Sequence, residues 1–272
     1  MAGPAAALPD ADDSSSGIAV SLRGVTKHYD NGVAALGPID LDVRKGEFVS
    51  LLGPSGCGKS TALRLIAGLG TVTSGAVRVS NHIPGAGLKH PIGFVFQEPT
   101  LMPWSNVREN VRLPLKLSHA SRDQADARVN DALAQVGLSE FADAFPRQLS
   151  GGMKMRVSLA RALVTDPDIL LMDEPFAALD EITRFRLNND LLALWRNLRK
   201  TVIFVTHSIF ESVYLSQRVV VMTPRPGCIG AEFHIDAAEP RGEEFRTSAG
   251  YAAHCREVAI ALARASGEKL AS

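Results

Sequence analysis

A glycine-rich stretch early in the chain carries residue types that bind phosphate. It lies between an apolar strand pattern and a helical pattern, and it consists of Gly53, Pro54, Ser55, Gly56, Cys57, Gly58, Lys59, Ser60 and Thr61. Glycines let backbone N–H groups converge on phosphate oxygens, and a helix N-terminus adds partial positive charge. The Lys59 ammonium would reach the β- and γ-phosphates of a nucleotide, and the Ser60 hydroxyl would enter the shell of Mg²⁺. We therefore predict a nucleoside triphosphate site, against the plainer interpretation of a glycine turn with an exposed lysine.

Two acidic residues follow another apolar strand pattern. Residues 169–172 are apolar, and Asp173 and Glu174 come directly after them. Ligands of open α/β sheets bind at the carboxyl ends of the strands, where these acids would lie. Asp173 would hold Mg²⁺ through water, and Glu174 would polarise the attacking water as a general base. Taken alone the two acids could be merely solvated, but the phosphate-binding stretch favours the catalytic interpretation.

The order of apolar patterns predicts an α/β fold. Short apolar runs closed by turn or polar residues are typical of buried strands in a mostly parallel sheet. They occupy residues 48–52, 92–96, 169–172, 202–205 and 219–222. Helical spacing follows Lys59 and recurs between Leu187 and Leu198. Strands that alternate with helices imply a layered sheet with right-handed crossovers.

Other segments depart from this alternation. Residues 19–29 and 39–43 alternate weakly and predict antiparallel strands near the N-terminus. Residues from about 100 to 163 read as helices without a strand, and the capping-box spacing at 121–124 predicts a helix start there. Residues 228–272 predict a helical tail.

Composition narrows the classes of function. The 272 residues include 29 Lys+Arg and 29 Asp+Glu, so the formal net charge at pH 7 is zero. A neutral chain disfavours a protein that coats nucleic acid or an anionic membrane. No apolar run approaches the roughly 18 residues of a membrane span. Residues 1–17 predict a disordered leader without a signal peptide, and three widely spaced cysteines favour a reduced compartment, so we expect a cytoplasmic protein.

Residues 18–227 resemble the ATP-binding subunit of an ABC transporter. The family's signature motif is matched by Leu149, Ser150, Gly151, Gly152 and Met153. Such a helix N-terminus is a second anion site with Ser150 as hydroxyl donor, although Ser150 would also serve as an ordinary helix cap. The resemblance implies a P-loop NTPase core with a mostly parallel sheet, an N-terminal antiparallel β portion and an inserted helical subdomain. It also implies ATP and Mg²⁺ as the ligands.

Further residues match motifs of the same family. Gln97 matches the Q-loop glutamine, which senses Mg²⁺ and the γ-phosphate, Asp180 matches the D-loop, and His207 matches the switch histidine that contacts the γ-phosphate. Tyr29 stands where an aromatic residue stacks on adenine, worth on the order of 1 kcal/mol, and a core or edge tyrosine is the rival interpretation. In the family the signature motif contacts the γ-phosphate of the opposite subunit. The resemblance therefore implies a head-to-tail dimer that holds two ATP molecules.

Some positions depart from the family's pattern. Ala178 stands where the D-loop frequently has a serine, and Met155 stands where a glutamine usually follows the signature motif. Met155 cannot make the hydrogen bonds of a glutamine, so we expect a tuned dimer interface with hydrolysis retained. Cys57 lies inside the phosphate-binding stretch, and we hypothesise that its oxidation would block ATP binding.

Three segments resemble sequences of the nitrate/sulfonate/taurine group of bacterial importers, namely residues 97–111, 176–184 and 206–222. This resemblance implies a second ATPase subunit, with an identical chain favoured over a paralogue, together with transmembrane permease subunits. Through the permease it implies a periplasmic solute-binding protein, with the cargo left open. The chain would lie on the inner face of the cell membrane and bind no nucleic acid. Trp104 would contact the permease, although a buried core tryptophan is nearly as good an interpretation.

Two other classes of function compete with transport. A soluble ABC-type ATPase that acts on DNA or ribosomes would usually carry a coiled-coil insertion or two tandem ATPase halves, and the sequence shows neither. A phosphate-loop kinase would leave the signature motif and His207 without a role. We therefore expect an ATPase that energises an importer.

Overall fold

The structure is a computed structural model that describes residues 17–80, 82–84, 92–118, 121–237 and 241–267, the side chain of Arg122 excepted. The predicted leader lies outside these residues, apart from Gly17. The strands are β1 (Ile18–His28), β2 (Ala34–Arg44), β3 (Phe48–Leu52), β4 (Ser74–Val79), β5 (Ile92–Val95), β6 (Ile169–Asp173), β7 (Thr201–Thr206), β8 (Arg218–Met222) and β9 (Ile229–His234). The helices are α1 (Lys59–Ile66), α2 (Val107–Leu117), α3 (Arg122–Gln135), α4 (Gly151–Leu163), α5 (Glu181–Leu198), α6 (Ile209–Leu215), α7 (Glu243–Arg246) and α8 (Ala249–Ala265). No helix in these ranges combines the length and apolar composition that a bilayer span requires.

A six-stranded sheet in the order β5-β6-β7-β3-β8-β9 forms the centre of the molecule. Its strands run parallel except β9, which pairs antiparallel with β8. Phe48 and Phe204 belong to the core on one face, with residues of α4, α5, α6 and α8. Val49 and Val205 belong to the core on the other face, with α1 and the N-terminal strands. Burial on both faces explains why these strands are apolar throughout, and the predicted α/β class is confirmed.

A second, three-stranded sheet in the order β2-β1-β4 covers one face of the central sheet. All its pairings are antiparallel, and Val20 of β1 lies opposite both Val43 of β2 and Val79 of β4. The predicted antiparallel strands at the N-terminus are thus present. β4 was not predicted, because its first two residues, Ser74 and Gly75, are exposed and leave only a short alternating run.

Three helices, α2, α3 and α4, pack around an apolar cluster of their own. The described residues between 101 and 163 contain these helices and two short 3₁₀ turns but no strand, as the sequence predicted. α3 begins after Ser121, at the capping-box pattern, although the Ser121 side chain makes no capping hydrogen bond. That this region is a separate helical subdomain stays a prediction.

The chain beyond Gly227 begins with a strand. β9 pairs with β8 at the edge of the central sheet, and its residues alternate between half-buried and exposed. This corrects the prediction of a helical tail, which overlooked the alternation of apolar and other residues along Ile229–His234. α8 then packs against β8, β9 and α6. β9 is thus a strand of the central sheet, and α8 belongs to the helices that cover it. The division of the chain into domain and tail stays a prediction.

The buried side chain of Asn110 in α2 fixes the loop that precedes this helix. Its Oδ1 accepts from the backbone N–H of Met102 at 2.7 Å, and its Nδ2 donates to the carbonyls of Met102, Ser105 and Asn106 at 3.2, 3.0 and 3.0 Å. Asn110 has no exposed surface. One amide therefore satisfies backbone groups on both sides of the exposed Trp104.

Replacing this amide should destabilise the fold measurably. Asn110→Ala leaves several backbone groups without their partner, so we expect the free energy of unfolding to fall by about 1–3 kcal/mol. Denaturant unfolding measures the change. Asn130→Ala is the matched control, because Asn130 is exposed and accepts one hydrogen bond from Arg108. It should change stability by less than about 0.5 kcal/mol, and equal losses in both variants would contradict the assignment.

Candidate active site

The phosphate-binding stretch connects β3 to α1, and its backbone requires glycine. Gly56 and Gly58 have φ of +76° and +107°, in the left-handed region that side chains disfavour. A Cβ on Gly58 would lie 2.6 Å from the carbonyl oxygen of Ala35. Gly58 also occupies the N-cap position of α1 and offers no side-chain cap. The first N–H groups of α1 thus have no side-chain acceptor, which is the arrangement that binds anions.

Lys59 is buried at the base of this loop. It is 4% exposed, and its Nζ donates to the carbonyls of Gly53 at 2.7 Å and Pro54 at 3.0 Å. The Nζ also lies 3.8 Å from Oε1 of Glu174. A buried ammonium needs such partners, since an uncompensated charge away from water is costly. The cation is therefore held between the loop and the end of β6.

The two predicted acids lie at the carboxyl end of β6, beside the loop. The Ser60 hydroxyl donates to Oδ1 of Asp173 at 2.7 Å. Burial raises the pKa of Asp173, although the hydrogen bond from Ser60 opposes the shift. Glu174 has a φ of +46°, and its Oε2 lies 2.9 Å from Nδ1 of His207, which follows β7. Because β3, β6 and β7 are adjacent and parallel, their ends bring the loop, the acids and the histidine together.

A cavity of about 380 Å³ opens over these groups. Its lining includes half of the predicted site residues, namely Tyr29, Ser55, Gly56, Gly58, Lys59, Ser60, Thr61, Gln97 and Glu174. Asp173 adjoins it through Ser60, and His207 through Glu174. A groove of the same volume between α4 and α5 is lined mainly by apolar residues and contains none of these site residues. The convergence of polar and charged groups marks the first cavity as the candidate active site.

Tyr29, in this cavity, and Cys57, near it, differ in their exposure to solvent. Tyr29 is 41% exposed, and its hydroxyl lies 3.4 Å from Oγ1 of Thr61, with the Lys27 ammonium 5.2 Å from the ring centre. This tyrosine is not in the core. The Cys57 side chain is buried at 1% exposure, with its Sγ 3.9 Å from Nζ of Lys59. Its burial limits the access of oxidants to the thiol.

The predicted signature and D-loop residues lie outside this cavity. Ser150 caps α4 by accepting from the N–H of Met153 at 3.3 Å, and Asp180 caps α5 by accepting from the N–H of Thr183 at 2.9 Å. The hydrogen bond from Thr183 lowers the pKa of the Asp180 carboxyl. A Cβ on Gly152 would lie 2.7 Å from Cγ2 of Thr183. The two helix starts therefore pack closely and form one surface that carries Ser150, Gly151 and Asp180, with Gly152 buried beneath it.

Met155, the unusual residue after the signature motif, lies within the core. It is 4% exposed and packs in the apolar cluster of α4, α5 and the central sheet. The thioether of methionine suits this position because it needs no hydrogen-bond partner. The following residue, Arg156, forms an ion pair with Asp190 of α5.

Sequence reasoning missed a buried carboxylate behind the switch histidine. Glu211 Oε2 accepts from the Thr206 hydroxyl at 2.6 Å, directly before His207. Oε1 of Glu211 lies 3.7 Å from Nε of Arg184, whose Nη2 donates to the carbonyl of Leu179 at 3.0 Å. Burial raises the pKa of Glu211. These contacts connect the segment before α5 with the end of β7.

Only part of this arrangement has a signal in the sequence. Ser208 and Glu211 have capping-box spacing, and Oγ of Ser208 accepts from the N–H of Glu211 at 3.3 Å. The carboxylate turns to Thr206 instead of completing the box. Arg225 also lines the cavity and donates to the Gly56 carbonyl. No motif in the sequence indicated that contact.

Known proteins share both the sequence and the fold. The family model described as ABC transporter matches residues 36–177. An uncharacterized ABC transporter ATP-binding protein of Methanocaldococcus jannaschii is 47% identical over 82% of this chain and 85% of its own length. A taurine import ATP-binding protein of Rhizobium johnstonii is 46% identical over 76% and 79%. A nitrate import ATP-binding protein of Synechocystis sp. is 46% identical over 75% and 76%.

Solved structures agree with these relatives. A dimeric ATP-binding cassette in a post-hydrolysis state with ADP and Pi is 35% identical, with a TM-score of 0.70 over 80% of this chain and 100% of that one. CbiO1 from Clostridium perfringens, part of an ABC transporter complex, is 28% identical, with a TM-score of 0.73 over 80% and 89%. The segment that the family model matches, residues 36–177, contains the phosphate loop and both acids at the end of β6. The chain belongs to the ABC transporter family, as a subunit that binds and hydrolyses ATP.

Proposed function

We propose that this chain energises the import of a small anionic or heterocyclic solute of the nitrate, sulfonate or taurine type. The observation that carries the proposal is the complete hydrolytic set around one cavity, in a chain 46% identical to ATP-binding proteins named for taurine and nitrate import. The alternative of an ATPase that acts on DNA or ribosomes finds no support, because these relatives are named for import and the net charge is zero.

The cavity suits a nucleoside triphosphate with its polyphosphate against the loop. The uncapped start of α1 would receive phosphate oxygens, and Lys59 would exchange its carbonyl partners for the β- and γ-phosphates. Tyr29 is exposed at the rim, where its ring would stack on the base. Glu174 would orient and polarise the attacking water, and His207, 2.9 Å from Glu174, would contact the γ-phosphate.

The residues beside the loop also fit Mg²⁺. Hard cations prefer oxygen ligands. The Ser60 hydroxyl oxygen and Oδ1 of Asp173 are 2.7 Å apart, so both could bind one cation. Gln97 lines the same cavity and supplies a further amide oxygen. A bound Mg²⁺ would neutralise charge on the β- and γ-phosphates. The described residues contain no group of three or more acids, histidines and cysteines arranged to hold a metal, so water and phosphate would complete the shell.

Hydrolysis would require two ATPase subunits. Ser150 and Gly151 lie on a surface apart from the cavity, with Gly152 buried beneath it, and the related cassette with ADP and Pi is dimeric. We infer that this surface meets the cavity of a second chain, so that each ATP is held by the phosphate loop of one subunit and the signature motif of the other. Asp180 lies at the same surface and would join the contact.

The loop before α2 is the proposed dock for a permease. Trp104 is 76% exposed there, so the interpretation as a core tryptophan is wrong. Large exposed aromatic residues are frequent anchors of protein interfaces, and Asn110 fixes the backbone around this one. The loop follows β5 and Gln97, so a permease bound to it would be close to the nucleotide cavity. A solute-binding protein would join the assembly through the permease.

The role of Glu174 can be tested by removing its negative charge. Glu174→Gln should lower kcat for ATP hydrolysis by about 10²–10⁴-fold, the usual cost of a lost general base, while ATP binding persists. Steady-state hydrolysis and nucleotide binding by calorimetry measure the two effects. Glu140→Gln, an exposed acid in the 3₁₀ turn Ser139–Phe141, is the control and should hydrolyse normally. Unchanged hydrolysis by Glu174→Gln would remove the proposed base.

The transport proposal predicts a permease gene beside the gene of this chain, and it is tested by assembly of the two proteins. Trp104→Ala should weaken binding to the permease by about 2 kcal/mol or more, close to a thirtyfold change in affinity, as for an interface hot spot. Copurification of the permease with each variant measures the loss. Leu117→Ala, which removes a side chain 73% exposed at the end of α2, is the matched control. If the unaltered subunit fails to bind this permease in detergent, the importer proposal is wrong. If both variants bind equally, the dock lies elsewhere.

A further inference from the structure

The loop between β8 and β9 reaches the phosphate-binding stretch with one arginine. Arg225 donates from Nε and Nη2 to the carbonyl oxygen of Gly56, at 3.1 and 2.9 Å. The side chain lines the same cavity as Lys59 and Glu174. Residues 223–228, here called the β8–β9 loop, lie beyond every motif that the sequence assigned to nucleotide.

The β8–β9 loop is fixed independently of Arg225. Gly227 donates its N–H to the Ala35 carbonyl at 3.1 Å and accepts from the N–H of Gly37 at 3.0 Å, so the loop is joined to β2. A Cβ on Gly227 would lie only 1.9 Å from the carbonyl oxygen of Cys57. This loop backbone therefore packs directly beneath the phosphate-binding stretch. Arg225 thus extends from a fixed support.

The peptide between Gly56 and Cys57 is held on both of its polar atoms. Its oxygen accepts from Arg225, and its N–H, on Cys57, donates to the Pro54 carbonyl at 3.3 Å. The same Pro54 oxygen accepts from Nζ of Lys59. A carbonyl that turned into the cavity would repel phosphate oxygens, so its orientation matters for binding.

We propose that Arg225 is a positioning residue for ATP binding. Its guanidinium holds the Gly56 carbonyl away from the phosphates, so that this oxygen does not repel them. Hydrogen bonds from a charged donor are stronger than neutral ones. Without Arg225 the peptide between Gly56 and Cys57 keeps only the weaker hydrogen bond from the Cys57 N–H to the Pro54 carbonyl, so it can rotate. The inference relies on the ATPase activity and is independent of the permease and the cargo.

The test compares three substitutions at this position with ATP, ADP and adenosine as ligands. Arg225→Ala should raise KM for ATP about tenfold and leave kcat within about threefold, because the general base and Lys59 remain. ADP affinity should fall by a similar factor, whereas the inhibition constant of adenosine should not change, because adenosine lacks phosphates. Arg225→Lys and Arg225→Gln each retain a donor for the Gly56 carbonyl and should recover at least half of the loss on a logarithmic scale.

Two further variants complete the experiment. Gly227→Ala should reproduce the phosphate-selective loss, because its Cβ forces the β8–β9 loop away from Cys57. Arg23→Ala removes an exposed ion pair with Asp42 on the outer sheet and should leave every constant unchanged. The proposal is overturned if Arg225→Ala binds ATP normally or if adenosine affinity falls as much as ATP affinity. It is also overturned if neither Lys nor Gln improves on Ala.

Discussion

A buried cation beside a helix start without a cap is the constraint on which this site depends. α2, α4, α5, α6 and α8 each begin with a side-chain oxygen that accepts from their first turn. α1 begins at a glycine with a φ of +107° and no such oxygen. Lys59 adds a full positive charge at this position, and its partners are backbone carbonyls and one carboxylate. A helix start with unbonded N–H groups beside an ammonium suits an anion of several charges.

The central sheet and the layers on its two faces hold Lys59 and the start of α1 in place. The central sheet needs apolar residues on both faces, so it is enclosed by helices on one side and the antiparallel sheet on the other. Within the sheet a polar side chain needs a buried partner, as Ser50 has in Ser216, whereas at the strand ends polar groups can face the cavity. Because β3, β6 and β7 are parallel neighbours, their carboxyl ends deliver the loop, the acids and His207 to one edge. Ala35 and Leu36 of β2 pack so closely on Gly58 that the loop has little freedom.

Much of this arrangement could be predicted from local sequence. The loop, both acids and the strand that precedes each could be recognised because strand, turn and helix signals are contiguous there. Arg225 could not, because its contact depends on two strands that bring residues 169 positions apart together. The carboxylate of Glu211 was missed for a related reason. Its spacing from Ser208 indicates a capping box, and only the tertiary position of Thr206 shows the actual partner. β9 was not predicted because it is half exposed and has no continuous apolar run, although its residues do alternate at period 2.

The capping role of Ser150 and its proposed contact with a phosphate are compatible. A hydroxyl has one donor and two acceptor positions. In this structure Oγ of Ser150 accepts from the N–H of Met153, which uses one acceptor position and leaves the O–H available as a donor. Ser150 and Gly151 are exposed at the start of α4, while Gly152 is buried against Thr183 of α5. The cap therefore fixes the hydroxyl in position without consuming the hydrogen that a phosphate oxygen would accept. Since Ser150 does not line the cavity of its own chain, this geometry supports the proposal that another subunit presents the phosphate.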